Sequence, residues 1–337
     1  MTEAAAGLPG SRTLVVADIG GTHARFALAG LDAAGRVTAL GEPVVMRCAD
    51  HASLAMAWAA FGASLGQPLP RAAALAVAAP VAGDTLKFTN NDWIIRPALI
   101  NTGLNIDAHV LVNDFEAVAY AVGACAPEHL RRLCGPDAPL PDRGAISVLG
   151  PGTGLGVGLL VKNGGDDWQV LPSEGSHGDF APVDAVDDGI LAHFRRRFGR
   201  VSAERVISGP GLADIHAALA GLEGRAIQPM DDKTLWTLAM SGEDSLATAA
   251  LDRFCLALGS FAGNMALAHG AGAVVIGGGL GARLADHLPT SGFAGRFAAK
   301  GRFEHLMRGL PVKLITHPQP GLYGAAAAFA RRHGAPQ

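Results

Sequence analysis

Short apolar runs recur along the chain, and most of them stop at glycine, at proline or at an acidic or amide side chain. Residues 13–19 form the first run, which ends in Asp18-Ile19-Gly20-Gly21-Thr22, and residues 24–29 form the next. Two β-rich runs around a Gly-Gly-Thr turn predict a hairpin. Residues 37–46 suit a third strand. Over 50–65 the apolar positions Leu54, Trp58 and Phe61 share one helical face. Residues 72–79 read as a buried strand stopped by Pro80. The run 108–112 ends in Asn113-Asp114, and a helix is predicted over 115–122. The pattern then restarts. Residues 145–149, the turn Gly150-Pro151-Gly152-Thr153-Gly154 and residues 155–161 make a second hairpin of the same form. Helices are predicted over 184–198 and 245–269, strands over 273–276 and 312–315, and an Ala-rich helix over 321–332. Strands first and helices interleaved afterwards predict an α/β class. The repeated hairpin suggests two related domains, although the letters do not repeat.

Composition narrows the function. With 27 Lys and Arg against 30 Asp and Glu, the net charge is -3, which argues against nucleic-acid binding by phosphate neutralisation. At 17% charged and 49% hydrophobic residues the chain can bury a substantial core. Its 337 residues allow about two domains. The four cysteines are scattered without a C-x-x-C pair, so neither a zinc site nor a disulfide framework is expected. Residues 1–12 are small and polar and read as a loose tail rather than a signal peptide. No apolar run reaches spanning length without Gly, Pro or polar breaks, so no membrane is expected.

The chemistry concentrates in the turns. Adjacent glycines at Gly20-Gly21 leave backbone N–H groups with no side chain in front of them, and Thr22 adds a hydroxyl. That suits a phosphate, with Asp18 placed to hold Mg²⁺ through water; an ordinary Gly-Gly hairpin reads equally well. Gly152-Thr153-Gly154 is a second candidate cradle. Gly277-Gly278-Gly279 with Ala282 fits a dinucleotide fingerprint, but its late position favours a platform for an adenine or ribose. There is no P-loop motif. Asp114 is either a helix N-cap or a carboxylate aimed into a cleft at a strand's C-terminal end. Glu174 and His177, three apart in a Gly-flanked loop, suit a grip on adjacent sugar hydroxyls, as do the amides of the 89–93 loop. Glu204 is a hydroxyl ligand or no more than a first-turn carboxylate.

In order, the segments VADIGGTHARF (16–26), TNNDW (89–93), VNDFE (112–116), LGPGTGLGV (149–157), LPSEGSHGDFAP (171–182), VSAERVISGPG (201–211), VIGGGL (275–280) and KGRF (300–303) resemble the bacterial glucokinase family of the hexokinase and actin-like ATPase superfamily. The resemblance covers nearly the whole chain. It implies two actin-like (ribonuclease H-like) α/β domains flanking a deep cleft, with 13–123 plus 318–337 as the small domain and 124–317 as the large one. It implies phosphoryl transfer from ATP to the 6-hydroxyl of glucose, with Asp114 as catalytic base. Asn90, Asn113, Glu174, His177 and Glu204 become glucose contacts. Ala17, Asp18, Ile19, Gly20, Gly21 and Thr22, then Gly152, Thr153 and Gly154, then Gly277, Gly278 and Gly279 become nucleotide contacts. A homodimer is implied as well, beside the Mg²⁺ expected at Asp18 from its place at the strand end and the cytoplasmic setting expected from the lack of a signal-peptide pattern or spanning run. His23 departs from the family, whose members commonly carry Asn there, and this bears on nucleotide affinity. The related repressor and kinase family with a Cys-rich zinc motif fits less well, because no cysteine cluster follows His177. A kinase for another hexose, a donor such as polyphosphate, and a non-catalytic sugar-sensing regulator are the alternatives. The regulator is disfavoured because only about a dozen residues, too few for a helix-turn-helix domain, precede the first predicted strand.

Overall fold

The computed structural model describes residues 12–88 and 91–334. The chain divides into two compact units, Met1–Ala126 with His317–Gln337, and Pro127–Thr316.

In the first unit β1 (Arg12–Ile19) and β2 (His23–Leu31) form the first hairpin, in a register that sets Asp18 opposite Arg25. Two short strands, β3 (Val37–Leu40) and β4 (Val44–Arg47), both pair antiparallel with β2. One strand was expected over 37–46. Pro43 lies in the break between the two, where it has no N–H to offer a ladder. Helix α1 (Leu54–Leu65) starts later than expected, because Ser53 caps it by accepting the Met56 N–H, and Gly66 at φ 64° ends it. After it come β5 (Ala72–Val77), the two-stranded ribbon β6 (Leu86–Lys87) and β7 (Ile94–Ile95), α2 (Ile100–Leu104), β8 (Ala108–Asn113) and α3 (Asp114–Ala124). The sheet order is β3-β2-β1-β5-β8, with β1, β5 and β8 parallel. Arg12, expected in the tail, already belongs to β1, and residues 1–11 lie outside the described residues.

The second unit holds β9 (Leu130–Cys134), β10 (Arg143–Pro151), β11 (Leu155–Gly164) and β12 (Asp167–Ser173). Then come α4 (Ala185–Phe198), α5 (Ala203–Val206), α6 (Gly209–Glu223), α7 (Asp232–Ser241) and α8 (Ser245–His269). β13 (Ala271–Ile276), α9 (Gly278–Arg283), α10 (Phe293–Ala298), α11 (Glu304–Arg308) and β14 (Val312–Ile315) complete it. Its sheet runs β12-β11-β10-β13-β14-β9. The path β12-β11-β10-β13-β14 repeats the pairing sense of β3-β2-β1-β5-β8: two antiparallel steps, then two parallel ones. The duplication suspected from the hairpins is therefore one of topology. β9 and β12 were not anticipated. β9 joins the far edge antiparallel to β14.

The chain returns to the first unit in α12 (Pro320–His333), which packs on α3 so closely that a Cβ on Gly324 would overlap the carbonyl oxygen of Ala117. β5, of sequence AAALAV, is almost wholly buried, as a parallel strand covered on both faces must be. In the second unit α8 carries the core through Leu251, Phe254, Cys255 and Leu258, with Trp236 edge-on to Phe254 at 5.4 Å. By length and composition α8 could cross a membrane, but 72% of its most apolar window is buried inside the fold, which is how a core helix sits.

Candidate functional site

The parallel strands of each sheet end side by side, and the sequence-predicted residues gather at those ends. In the first unit Ile19 pairs with Val77, and Val77 with Asn113. The turn after β1 therefore stands one strand away from the end of β8. The Gly20 N–H closes the turn on the His23 carbonyl at 2.9 Å. Cys48 donates its N–H to Thr22 O, and the Asn91 amide donates to Gly20 O at 3.3 Å, so the turn is tied down from both sides. Alternation along β1 sends Ala17 and Ile19 into the core, leaving Asp18 half-buried on the other face. Any ligand contact of Ala17 or Ile19 is thus a backbone one. Asp18 meets Arg25 at 3.2 Å. Burial pushes the Asp18 carboxyl above its ordinary range, and Arg25 pulls against that. This partner went unnoticed in the sequence, although hairpin register was the signal for it.

At the end of β8, the cap of α3 is Asn113 and not Asp114. The Asn113 side chain accepts the Phe115 N–H at 2.9 Å and the Glu116 N–H at 3.3 Å, and Glu116 reaches back to the Asn113 N–H, a complete capping box. The Asn113 amide donates to Ala79 O at 3.4 Å. Buried Glu116 is held by Arg332 of α12 at 3.1 Å. With the cap supplied by its neighbour, Asp114 needs no structural role there, although its Oδ1 accepts the Phe115 N–H at 2.8 Å. Burial raises the Asp114 carboxyl to about 6; the Phe115 N–H opposes the rise and the charge of Asp18 adds to it. A half-buried carboxylate with that affinity for a proton is suited to general base work near neutrality. Asn90 lies outside the described residues.

In the second unit β10 runs on through Gly150 and Pro151, so the turn is only Gly152-Thr153-Gly154, three residues rather than the five expected. The extension arises because Gly150 and Pro151 still pair with Gly156 and Leu155. The turn closes by Gly152 N–H to Gly154 O at 2.8 Å, and Gly152 O accepts the Gly209 N–H of α6 at 2.8 Å. Next door the Gly277 N–H bonds Leu149 O at 2.7 Å, and Gly278, at φ 74°, packs so tightly that a Cβ would lie 2.7 Å from Pro151 O. Gly277 caps α9 by position, and Gly278 and Gly279 open it. The second and third glycine motifs are therefore one contiguous backbone surface.

The sugar-gripping candidates converge on the same end. His177 Nε2 lies 3.7 Å from Glu174, and its Nδ1 lies 3.9 Å from Glu204. Glu204 in turn accepts the Leu155 N–H at 3.1 Å, and a Cβ on Gly154 would come within 2.6 Å of that carboxylate. Ser202 caps the short helix that presents Glu204. The loop bearing His177 is fastened by Ala203 N–H to Gly178 O at 2.8 Å and by Arg200, which binds His177 O at 2.6 Å and Asp179 at 2.8 Å. Glu174 and His177 remain exposed, with side-chain atoms free to meet a ligand. The structure thus unites Glu174, His177, Glu204, Gly152–Gly154 and Gly277–Gly279 in one unit, and Asp18–Thr22, Asn113 and Asp114 in the other.

Three comparisons bear on what such a constellation serves. The glucokinase family model matches residues 15–332. The glucokinase of Zymomonas mobilis is 57% identical over 320 residues, covering 95% of this chain and 98% of its own. That of Caulobacter vibrioides is 41% identical over 319 residues, covering 94% of each chain. The crystal structure of a glucokinase from an Antarctic psychrotroph superposes with a TM-score of 0.83 at 34% identity, covering 95% of this chain and 99% of that one.

Proposed function

Because the chain belongs to the glucokinase family and is therefore a hexose kinase, we propose that it transfers the γ-phosphoryl group of ATP to the 6-hydroxyl of D-glucose, with Asp114 as the base. The observation that carries this reading is Asp114 itself: an aspartate at a parallel-strand end, relieved of capping by Asn113, its carboxyl raised by burial to about 6. At neutral pH it is mostly ionised and still a competent proton acceptor. It takes the hydroxyl proton as the sugar oxygen bonds the γ-phosphorus and the bond to the ADP oxygen breaks. Glu174, His177 and Glu204 hold ring hydroxyls, and the free capacity of the Asn113 amide and the Asn90 side chain serve the same end.

The glycine surfaces suit the nucleotide. A Cβ at Gly278 would strike Pro151 O, so the backbone approaches there as only glycine permits. Thr22 and Thr153 add hydroxyl donors beside them. Mg²⁺ fits Asp18 through water: that carboxylate is half-buried beside Arg25, and the described residues hold no cluster of three His, Cys, Asp or Glu that would ligate a metal directly. When bound, the metal neutralises polyphosphate charge. The reading places the enzyme in the cytoplasm and takes it as a homodimer, the latter implied by the family resemblance. A coupled assay of ADP release over a panel of hexoses with MgATP tests it: turnover is expected to be fastest with glucose. A preference for mannose or fructose reassigns the acceptor, and tight sugar binding without ADP release makes the chain a sensor.

A further inference from the structure

Beside the second glycine turn lies a cavity of about 110 Å³ whose lining includes Arg205 and Ser208, residues to which the proposed function gives no role. Thr153, Glu204, Arg205 and Ser208 line it, together with Arg197, Phe198 and Asp214. Two arginines and two carboxylates line it. Arg197 is neutralised by Asp214 at 2.6 Å, and Glu204 is engaged by the Leu155 N–H. Arg205 has no carboxylate partner among the described residues, yet it is held in place, its guanidinium 4.5 Å from the centre of the Phe198 ring. A guanidinium held against an aromatic ring and engaged in no ion pair keeps its N–H donors for an anion.

A second observation points the same way. Ser208 stands at the N-cap of α6, a helix of 15 residues, but its hydroxyl accepts none of the helix N–H groups. The residue is 5% exposed, lines the cavity, and makes no side-chain hydrogen bond to any described residue. Pro210, in the first turn of the helix, has no N–H to offer it. That hydroxyl is therefore free to bond a molecule in the cavity. The positive end of the α6 dipole points to the same place.

We infer that Arg205 and the Ser208 hydroxyl, at the N-terminal end of α6, form a subsite for a phosphate oxyanion, and that its occupant is the polyphosphate of the phosphoryl donor. The link to the donor is Thr153, which lines this cavity from the very turn that α6 fastens through the Gly209 N–H; the choice of occupant rests on the function proposed above. Arg205 then acts as a donor-positioning residue, and free phosphate acting as a separate effector is the other source of the same chemistry.

Kinetics on the full chain test this, with Arg205→Gln, Arg205→Lys and Ser208→Ala and with inorganic tripolyphosphate as the probe. Arg205→Gln is expected to raise the KM for ATP about tenfold or more, the loss typical of a hydrogen bond to a charged group. The KM for glucose stays within about twofold, and Arg205→Lys recovers part of the loss. Tripolyphosphate competes with ATP in the parent enzyme, and its inhibition constant rises by the same factor in Arg205→Gln. Ser208→Ala removes a hydroxyl that caps nothing, so it keeps the fold and gives a smaller shift of the same kind. Unchanged ATP parameters in both Arg205→Gln and Ser208→Ala overturn the subsite, and so does an effect confined to glucose. Inhibition by tripolyphosphate or inorganic phosphate that is not competitive with ATP assigns the cavity to an effector and overturns the donor assignment. Absence of hexose phosphorylation in the parent enzyme sinks the proposed function instead. Calorimetric titration of tripolyphosphate into parent and Arg205→Gln protein then still decides the subsite.

Discussion

Asp114 concentrates the argument at the scale of single residues. Its neighbour takes the cap, burial raises its carboxyl, and Asp18 nearby adds to the effect. Asp114→Asn keeps the shape and removes the proposed base. It is expected to lower kcat by at least about 10²-fold while the glucose KM changes little, as steady-state assays would show; an unchanged kcat removes Asp114 from the role. The sign of the pH dependence follows from the same group. The base form exists above its proton affinity of about 6, so kcat/KM falls as pH drops through that value. A profile flat down to pH 5 contradicts the assignment. At this scale the residue types were legible in the sequence: Asp18, Asp114, Glu174, His177 and Glu204 were all singled out from turns and strand ends. Which of Asn113 and Asp114 caps α3 was not legible, because both side chains cap helices well and only the backbone path decides.

Elements are placed by turns, caps and close approaches. Gly324 of α12 faces the carbonyl of Ala117 on α3 with no room for a methyl group. Gly324→Ala forces the two helices apart and is expected to cost about 1–3 kcal/mol, read as a lower melting temperature. At Gly154 a methyl group would press on the carboxylate of Glu204. Gly154→Ala is therefore expected to raise the glucose KM severalfold with the melting temperature little changed, and an unaltered glucose KM would separate Glu204 from the sugar. Both hairpins, β5, α4 and α12 stood out in the sequence because apolar periodicity and Gly or Pro stops mark them. The split of 37–46 into β3 and β4, and the placement of β9 beside β14, did not. A strand's partner is chosen by pairing across long sequence distances, which local pattern does not encode.

The whole molecule couples protons to folding through the same carboxylates. Asp18, Asp114 and Glu116 are all raised by burial in the first unit. The folded state thus holds protons that the unfolded chain has released, and their contribution to stability falls as pH rises above the ordinary carboxylate range, for Asp114 up to about 6. Asp184, lowered by the Asp187 N–H and by Arg253 and Arg296, works in the opposite direction and loses its contribution as pH falls. Asp114→Asn should accordingly raise the melting temperature more at pH 7.5 than at pH 4.5, a comparison made by differential scanning calorimetry. A gain independent of pH would place the Asp114 carboxyl at its ordinary value. By itself the sequence determined the α/β class, the two Gly-Thr hairpins and the candidate side chains of the site, since periodicity and turn chemistry are local properties of the chain. Only the tertiary structure decided that Glu204 rests on the Gly154 turn, that Arg332 reaches Glu116, and that Arg205 and Ser208 share a cavity with Thr153. Those meetings depend on how strands pair and helices pack, and distance along the chain carries no record of either.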